Sequence, residues 1–338
     1  MREATIQKIE WIKPIENADN IEAVGILGWQ IVVKKNEFRV GDICVYCELD
    51  SLLPEKPEFE FMRNKNFRVK SIKLRGELSQ GLCLGINIFK EDHLKVLFML
   101  QTEDRIGLDV SEWLGITHYE KPIPASMGGL VRGNFPPYIS KTDETRIQSA
   151  PGVLYELKGI PVFSTIKMDG TSATYISKDE DFYVCSRNNS LKLEGNENNV
   201  YIQMEMKYNI RNKLQGRNIV IQGEICGPGI QKNKLNLKEN DLYIFNVYDI
   251  FKREYLGLDD FVNFCDTLGF KRVPIIDIFK FDHTIPQLLE MAKGVYEGTK
   301  NRREGIVIRP IKEMKSERLK GRMSFKVLNN EYLMKDEE

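Results

Sequence analysis

The chain has 338 residues, of which 42% are hydrophobic and 29% charged, a composition typical of folded globular proteins and not of disordered ones. Lys+Arg and Asp+Glu both total 49, so any contact with nucleic acid must come from local clusters of cations and not from a net positive charge. No apolar run approaches the ~20 residues of a membrane span and the N-terminus lacks the apolar core of a secretory signal, so we expect an intracellular, by default cytoplasmic, protein that does not bind membranes.

The first part of the chain has the pattern of a small β domain. Short apolar segments recur between turn signals such as Gly41-Asp42 and Arg75-Gly76. These segments lie at residues 21–27, 29–33, 42–48, 67–74 and 81–85. Short strands at this spacing favour a closed barrel such as an OB-fold.

The pattern changes twice further along the chain. Residues 88–114 are more helical or irregular, and the density of proline and glycine in 121–138 predicts a linker or a long ordered loop. From residue 150, longer strands alternate with helices, which predicts an α+β domain rich in antiparallel strands. The apolar spacing predicts helices at 199–214 and 285–296, and the segment 305–310 is predicted to be a strand. We therefore expect an all-β OB-fold domain at 1–115, a linker at 116–140 and a second domain at 141–338.

Two predicted strands in the second domain, 161–166 and 171–177, flank the segment Lys167-Met168-Asp169-Gly170. Asp-Gly is a strong hairpin signal, so one interpretation is an ordinary turn lysine. The other is a nucleophilic lysine at a strand end. A lysine nucleophile must be neutral, and burial or neighbouring cations would lower its pKa from an ordinary value near ~10.4.

Segments downstream of this lysine favour the second interpretation. Each places a charged or aromatic side chain beside a predicted strand end or within a strand. They are Ser186-Arg187-Asn188, Gly223-Glu224-Ile225, Ile244-Phe245-Asn246, Glu304-Gly305-Ile306 and Phe325-Lys326-Val327. Carboxylates of this kind are natural ligands for Mg²⁺, because hard cations prefer oxygen ligands.

Together these segments resemble, in order, motifs I, Ia, III, IIIa, IV and V of the covalent nucleotidyltransferases, which include ATP-dependent polynucleotide ligases and messenger-RNA capping enzymes. The resemblance implies an antiparallel-sheet nucleotidyltransferase domain in which Lys167 takes AMP from ATP and forms lysyl-AMP. It also implies catalytic roles for Asp169, Glu224 and Lys326.

The resemblance further implies a nucleotide-binding set and a metal set. The nucleotide-binding residues are Lys167, Arg187, Glu224, Phe245, Ile306 and Lys326. Phe245 and Ile306 would stack on the two faces of the adenine. Asp169, Glu224 and Glu304 would bind Mg²⁺ or Mn²⁺ directly or through water.

Simpler interpretations exist for several of these residues. The simpler interpretation of Phe245 is a core aromatic on a strand, and that of Arg187 is a solvated hairpin residue. Related ligases often carry a second lysine where this chain has Leu328. Either Lys320 or Arg322 supplies the missing charge, or one cation is sufficient.

Domain order narrows the resemblance. Capping enzymes and classical DNA ligases place an OB-fold after motif V, whereas this chain ends 12 residues after Lys326 and has its predicted OB-fold first. That order resembles the fifth family of ATP-dependent RNA ligases, typified by enzymes of Deinococcus and Naegleria. Residues 141–148, just before the first motif, also resemble that family, and we expect them near the nucleotide.

The family resemblance implies sealing of 3′-OH/5′-phosphate nicks in duplexes with RNA on the 3′-OH side, so the partners would be RNA or RNA/DNA duplex ends. A DNA ligase, or a non-catalytic nucleic-acid-binding protein, is the alternative. In the first domain, the basic residues Arg68, Lys70, Lys73 and Arg75 are candidates for gripping the duplex. The simpler interpretation of these four is a solvated strand face.

Overall fold

The computed structural model describes residues 2–120 and 129–335, which form two compact units, one on each side of the segment 121–128 in the sequence. That segment, part of the predicted linker at 116–140, lies outside the described residues, as do the last three residues of the predicted second domain. At the ends of the predicted linker, Thr117–His118 pairs within the first unit and Val131–Asn134 pairs within the second.

The first unit consists mainly of short antiparallel strands. They are β1 (Ala4–Lys8), β2 (Trp11–Pro14), β3 (Ile21–Ile26), β4 (Trp29–Lys34), β5 (Ile43–Cys47), β6 (Ser51–Leu52), β7 (Ser71–Leu74), β8 (Glu77–Gln80), β9 (Leu82–Gly85) and β10 (Thr117–His118). Their orders are β2-β3-β4, β1-β5-β9, β7-β8 and β6-β10. The sheets enclose one apolar core, in which Ile6, Val24 and Tyr46 are fully buried.

Helical segments complete the first unit. They are 3-10 helices at Pro57–Lys65 and Ile86–Ile88, followed by α1 (Glu91–Met99), α2 (Thr102–Arg105) and α3 (Ser111–Leu114). The predicted strand at 67–74 is shorter in the structure and begins at Ser71. The reason is local, because Asn66 and Phe67 leave the first 3-10 helix with positive φ angles of 50° and 55°, which no strand adopts.

The second unit contains the remaining strands. They are β11 (Val131–Asn134), β12 (Thr145–Arg146), β13 (Pro161–Lys167), β14 (Thr171–Lys178), β15 (Asp181–Cys185), β16 (Asn189–Leu191), β17 (Ile219–Cys226), β18 (Asp241–Asp249), β19 (Glu254–Tyr255), β20 (Ile275–Lys280), β21 (Gly305–Pro310), β22 (Lys315–Ser316), β23 (Gly321–Arg322) and β24 (Phe325–Leu328). A seven-stranded sheet has the order β11-β16-β15-β14-β17-β18-β19, and a five-stranded sheet has the order β12-β24-β21-β13-β20. Pairing within both sheets is antiparallel except between β12 and β24.

Helices pack on one face of each sheet. They are α4 (Val153–Leu157), α5 (Val200–Tyr208), α6 (Ile210–Leu214), α7 (Leu258–Leu268), α8 (Ile285–Ala292) and α9 (Asn330–Lys335), with a 3-10 helix at Ile147–Ser149. Apolar side chains of α5, α6 and α7 share a core with the seven-stranded sheet. Those of α4 and α8 share a second core with the five-stranded sheet. Glu224 on the seven-stranded sheet, and Lys167 and Lys326 on the five-stranded sheet, lie on the faces opposite these two cores.

Two helix predictions need correction. The apolar spacing of Ile202, Met206, Ile210 and Leu214 predicted one helix over 199–214, but the helix breaks at Asn209, whose φ is 50°. Ile202, Ile210 and Leu214 are buried, whereas Met206, just before the break, is 61% exposed. The helix predicted for 285–296 ends at Ala292. Among residues 2–120 and 129–335, no helix is long and apolar enough to cross a membrane.

Candidate active site

The centre of the site is Lys167, the last residue of β13. It lies opposite Gly305 in the register between β13 and β21, so the residue before that glycine, Glu304, is brought beside it. The Nζ atom of Lys167 donates a hydrogen bond to Oε2 of Glu304 at 2.8 Å. Both side chains are mostly buried. Residues 137 positions apart in sequence therefore form a close ion pair.

Close packing explains the glycines in two of the motifs. A Cβ atom on Gly170 would lie 2.2 Å from the carbonyl oxygen of Ile225, so a side chain there would push the lysine segment away from β17. A Cβ atom on Gly305 would lie 2.2 Å from the carbonyl oxygen of Val327, and its φ of +156° also favours glycine. Gly170 thus lets the lysine segment lie close to the strand of Glu224, and Gly305 lets the strand that follows Glu304 lie close to the strand of Lys326.

Three carboxylates surround Lys167. Burial, and then the charge of Glu304, raise the pKa of Asp169. Burial raises the pKa of Glu224 to about 8, with further contributions from Glu304 and Asp169 that Lys167 opposes. The three acids therefore repel one another in a poorly solvated place, which is a setting that a divalent cation would relieve.

The donor set fits a hard cation, since it consists of carboxylate oxygens. No three Asp, Glu, His or Cys side chains within the described ranges are close enough together to hold an ion by themselves. A metal held by Asp169, Glu224 and Glu304 would therefore need water among its ligands. The sequence prediction allowed for this arrangement, and the metal role of these residues stays a prediction.

The pKa of Lys167 differs from the sequence expectation. Burial is the largest influence and lowers it, but the charges of Glu304, Glu224 and Asp169, together with the hydrogen bond to Glu304, outweigh burial. The net result is a pKa above the ordinary value. The expected lowering is therefore wrong for the protein alone, because the sequence could not show how many carboxylates meet at this amine.

The pKa of Lys326 is shifted in the opposite direction, below its ordinary value. Lys326 lies on β24 opposite Val307, and burial lowers its pKa to about 8, assisted by the nearby charges of Arg146 and Lys167. Arg146, on β12, is paired with Lys326 in the parallel register. Sequence reasoning singled out the segment 141–148 but not this arginine.

Of the two residues predicted to contact the adenine base, the structure places Phe245 near the site and Ile306 in a core away from it. Phe245 is half-buried and lies at an irregularity in the pairing of β17 with β18, between Ile244, which pairs with Gly223, and Asn246, which pairs with Gln222. It packs against the same apolar cluster as Tyr243, which lies opposite Glu224. Phe245 packs against a small apolar cluster that includes Met168. Its place is compatible with a wall of the site.

Ile306 does not fit its predicted role. It is 1% exposed and belongs to the core formed with α4 and α8. Its neighbour Val307 pairs with Lys326 and with Thr165, two residues before Lys167, and so lies on the face of both lysines. The correction follows from the strand period of two, and Val307 replaces Ile306 as the β21 residue directed at the site.

Residues 141–146 run along the inner side of the site. The hydroxyl groups of Thr142 and Ser172 lie 2.7 Å apart, and Ser172 is paired with Glu224. Asp143 forms an ion pair with Arg187 at 3.0 Å, which holds this partly exposed arginine. The structure thus brings Arg187 and this segment together.

Below this segment, Arg309 links the two sheets. Its guanidinium donates to Glu144 at 2.9 Å, to Ser324 at 2.9 Å and to the carbonyl oxygen of Phe245 at 3.0 Å, and the residue is 3% exposed. Burial raises the pKa of Glu144, but the charges of Arg309 and Arg322 outweigh it and the net pKa is lowered. The sequence analysis did not identify Arg309 as a site residue, although a charged residue within an apolar strand was a feature that could have indicated it.

A tyrosine of the C-terminal helix also reaches the site. The side chain of Tyr332 hydrogen-bonds Asp169, which opposes but does not outweigh the effect of burial and of Glu304 on the pKa of that carboxyl. Nζ of Lys234 lies 3.6 Å from the centre of the Tyr332 ring. Leu328 itself is buried at the end of β24, opposite Gly305. Of the cations suggested for its missing charge, Arg322 is bonded to Glu313 and Asn246.

The basic residues predicted to bind nucleic acid lie in the first unit. Arg68 is paired with Asp50 at 2.5 Å and stacks on Tyr119, with its guanidinium carbon 4.0 Å from the ring centre. Lys70 is half-buried, whereas Lys73 and Arg75 are exposed. The four residues therefore differ in how accessible they are to a nucleic acid, and their role in binding it stays a prediction.

A lysine at a strand end, three carboxylates around it and two largely antiparallel sheets define an enzyme of the nucleotidyltransferase class. A family model described as RNA ligase matches residues 160–328, and a model of an OB-fold domain matches residues 3–86. The chain belongs to the RNA ligase family. The predicted fold, an OB-fold domain followed by an α+β nucleotidyltransferase domain, and the predicted enzyme class are thereby confirmed.

Solved structures support the same assignment. Naegleria gruberi RNA ligase with PPi is 35% identical, with a TM-score of 0.89, and the match covers 100% of this chain and 99% of that one. A mutant of the same ligase with ATP and Mn is 36% identical, with a TM-score of 0.89 and complete coverage of both chains. Another mutant, with AMP and Mn, is 36% identical, with a TM-score of 0.88 and 99% coverage of each. No curated protein sequence matches the chain.

Proposed function

We propose that this protein is an ATP-dependent RNA ligase that joins 3′-OH and 5′-phosphate ends through a covalent lysyl-AMP intermediate. The observation that carries the proposal is the position of Lys167, whose amine lies 2.8 Å from Glu304 and within the field of Glu224 and Asp169. The ATP and PPi in the Naegleria ligase structures are the substrate and the leaving group of a lysine adenylylation, and AMP is the group that this step transfers.

In the first step, the neutral amine of Lys167 attacks the α-phosphorus of ATP. A P–N bond forms, the P–O bond to the β-phosphate breaks, and pyrophosphate leaves. Glu304 is positioned to accept the proton that the amine loses, because its carboxylate already contacts Nζ. A Mg²⁺ or Mn²⁺ ion at Asp169, Glu224 and Glu304, directly or through water, would neutralise charge on the phosphates.

The remaining residues hold the nucleotide. Phe245, which packs with Tyr243 near Glu224, and Val307, which pairs with Lys326, would enclose the adenine between them. Lys326, whose pKa is lowered to about 8, would contact the phosphates and regain full charge on doing so. Arg187, held by Asp143, is placed to contact the ribose or the nucleic-acid phosphate.

The second and third steps complete the reaction. AMP passes from Lys167 to the 5′-phosphate of the broken strand, which breaks the P–N bond and forms a pyrophosphate linkage. The 3′-OH then attacks that 5′-phosphate, a phosphodiester forms, and AMP leaves. All three displacements depend on positioning and charge neutralisation.

We further propose that the substrate is a nick in a duplex with RNA on the 3′-OH side, gripped by the first unit through its basic residues. The exposed pair Lys73 and Arg75 is best placed for phosphate contact, since Arg68 is bound to Asp50. Arg68 would act on the phosphates only together with that partner.

The test compares nicked duplexes that differ only in the sugar of the 3′-terminal nucleotide. With ATP and magnesium, the proposal expects labelled AMP on wild-type protein, no label on Lys167→Ala, and sealing only where the 3′-terminal sugar is ribose. Equal sealing with deoxyribose would favour the alternative, a DNA ligase. Absence of label from wild-type protein would favour a binding protein without catalysis.

A further inference from the structure

The phenol of Tyr296 occupies the point where the ladder between β13 and β21 ends. The last registered pair is Lys167 with Gly305. Just beyond it, the Tyr296 hydroxyl donates a hydrogen bond to the carbonyl oxygen of Lys167 at 3.1 Å and accepts one from the backbone N–H of Glu304 at 3.2 Å. One side chain therefore bonds the backbones of both members of the ion pair.

The segment that carries Tyr296 is itself fixed. The residue is 2% exposed and packs in an apolar cluster with Met168, Cys226 and Val273. Its backbone N–H donates to the carbonyl oxygen of Asn301 at 3.0 Å, and its carbonyl oxygen accepts from the Thr299 hydroxyl at 2.9 Å. A hydroxyl held in this way has little freedom to follow a shift of either strand end.

The other side of Glu304 is held separately. Its carbonyl oxygen accepts a hydrogen bond from the backbone N–H of Asn329 at 2.9 Å, just after the end of β24. Tyr296 thus supplies the partner for the N–H of Glu304, and Asn329 the partner for its C=O. Only the first of these contacts also reaches Lys167.

From this geometry we infer that Tyr296 is a positioning residue for lysine adenylylation, acting by fixing the Glu304 carboxylate relative to the Lys167 amine. The inference rests on the proposed function. A displacement of about 1 Å in a reacting group can cost orders of magnitude in rate, so one bridging hydroxyl is sufficient to matter. Sealing of an end that already carries AMP does not use the amine of Lys167 as a nucleophile, so that step should depend less on Tyr296.

The variant that tests this is Tyr296→Phe, which keeps the ring and removes only the hydroxyl. Three quantities are measured on the full chain: the rate of AMP transfer to the protein at saturating ATP, the KM for ATP in that step, and the rate of sealing of a nick pre-adenylylated on its 5′-phosphate. We expect AMP transfer to fall about tenfold or more, with the KM and the pre-adenylylated sealing within about twofold of wild type.

The matched control is Tyr175→Phe. Tyr175 is also fully buried and its hydroxyl donates to a backbone carbonyl, that of Tyr201, at 2.9 Å, but it belongs to the core behind the seven-stranded sheet. The Tyr175→Phe variant should lose a similar hydrogen bond, but its rate of AMP transfer should not fall more than its rate of pre-adenylylated sealing. Thermal unfolding of both variants, compared with wild type, measures the cost to stability.

The outcomes are distinguishable. If the Tyr296→Phe variant transfers AMP to itself at the wild-type rate, the inference is overturned. A parallel loss of AMP transfer and pre-adenylylated sealing also overturns it, because that pattern marks a general structural role. If wild-type protein itself takes no AMP from ATP, the proposed function fails, and the inference fails with it.

Discussion

Nζ of Lys167 and Oε2 of Glu304 are 2.8 Å apart, and this pair both positions the amine and keeps it protonated. The arrangement means that the protein alone is not ready to react. Charge must first be redistributed among Glu304, Glu224 and Asp169 before the amine can lose its proton. Binding of a divalent cation and of the nucleotide at these acids would achieve this, since a cation reduces the field that holds the proton.

The first prediction concerns proton release from Glu224. Its pKa is raised to about 8, so at pH 7 it is mostly protonated, and a cation that binds its carboxylate must displace that proton. The apparent affinity for Mg²⁺ should therefore rise with pH up to about 8 and level off above it. Calorimetric titrations in buffers of different ionisation enthalpy count the protons released. Glu224→Gln should abolish this proton release and lower the rate of nick sealing by about 10²-fold. If the variant released as many protons on binding Mg²⁺ as wild type does, Glu224 would not be a metal-binding residue.

The second prediction separates Ile306 from Val307. Ile306→Ala should destabilise the fold by about 2–5 kcal/mol, because it empties a core position, while the affinity for ATP of the folded protein is retained. Val307→Ala should raise the KM for ATP in the adenylylation step with a smaller loss of stability. Thermal unfolding and AMP-transfer kinetics measure the two effects. The reverse pattern would restore Ile306 as the base contact.

The third prediction concerns the stability contributed by Glu144. Its folded-state pKa is lowered below the ordinary value by Arg309 and Arg322 against the effect of burial. A lowered pKa stabilises the fold above the unfolded-state pKa of about 4.3, and that contribution is lost as the pH falls through the folded-state value. Glu144→Gln should therefore lower the melting temperature at neutral pH and reduce its decline on acidification. A melting curve whose acid dependence equals that of wild type would show that this pair does not contribute.

The fourth prediction distinguishes the basic residues of the first unit. Lys73→Ala combined with Arg75→Ala should weaken sealing of nicked duplexes and reduce its salt dependence, with AMP transfer to the protein unchanged, because both side chains are exposed. Arg68→Ala should in addition lower the melting temperature, since it breaks the contacts with Asp50 and Tyr119. Sealing by the double variant at the wild-type rate at every salt concentration would exclude these two residues from substrate binding.

Local sequence determined the position of the strands beside the motifs. Strand β13 was predicted at 161–166 and is found at Pro161–Lys167, and β21 was predicted at 305–310 and found there. Both segments are rich in β-branched residues and have a glycine at or near one end, and both signals act between near neighbours. The ordered motifs also identified the family, because each residue type is tied to one chemical task.

Tertiary structure decided what local signals could not. Which of Ile306 and Val307 faces Lys326 depends on the register between β21 and β24, set by residues far apart in sequence. The raised pKa of Lys167 depends on three acids converging from separate segments. The hydroxyl of Tyr296 reaches Lys167 across 129 residues, a contact that leaves no periodicity or motif. The sequence alone therefore determined the chemical groups and the strands that carry them. Long-range strand pairing decided which of these groups come together, because electrostatic and hydrogen-bonding energies depend on distance in space and not on distance along the chain.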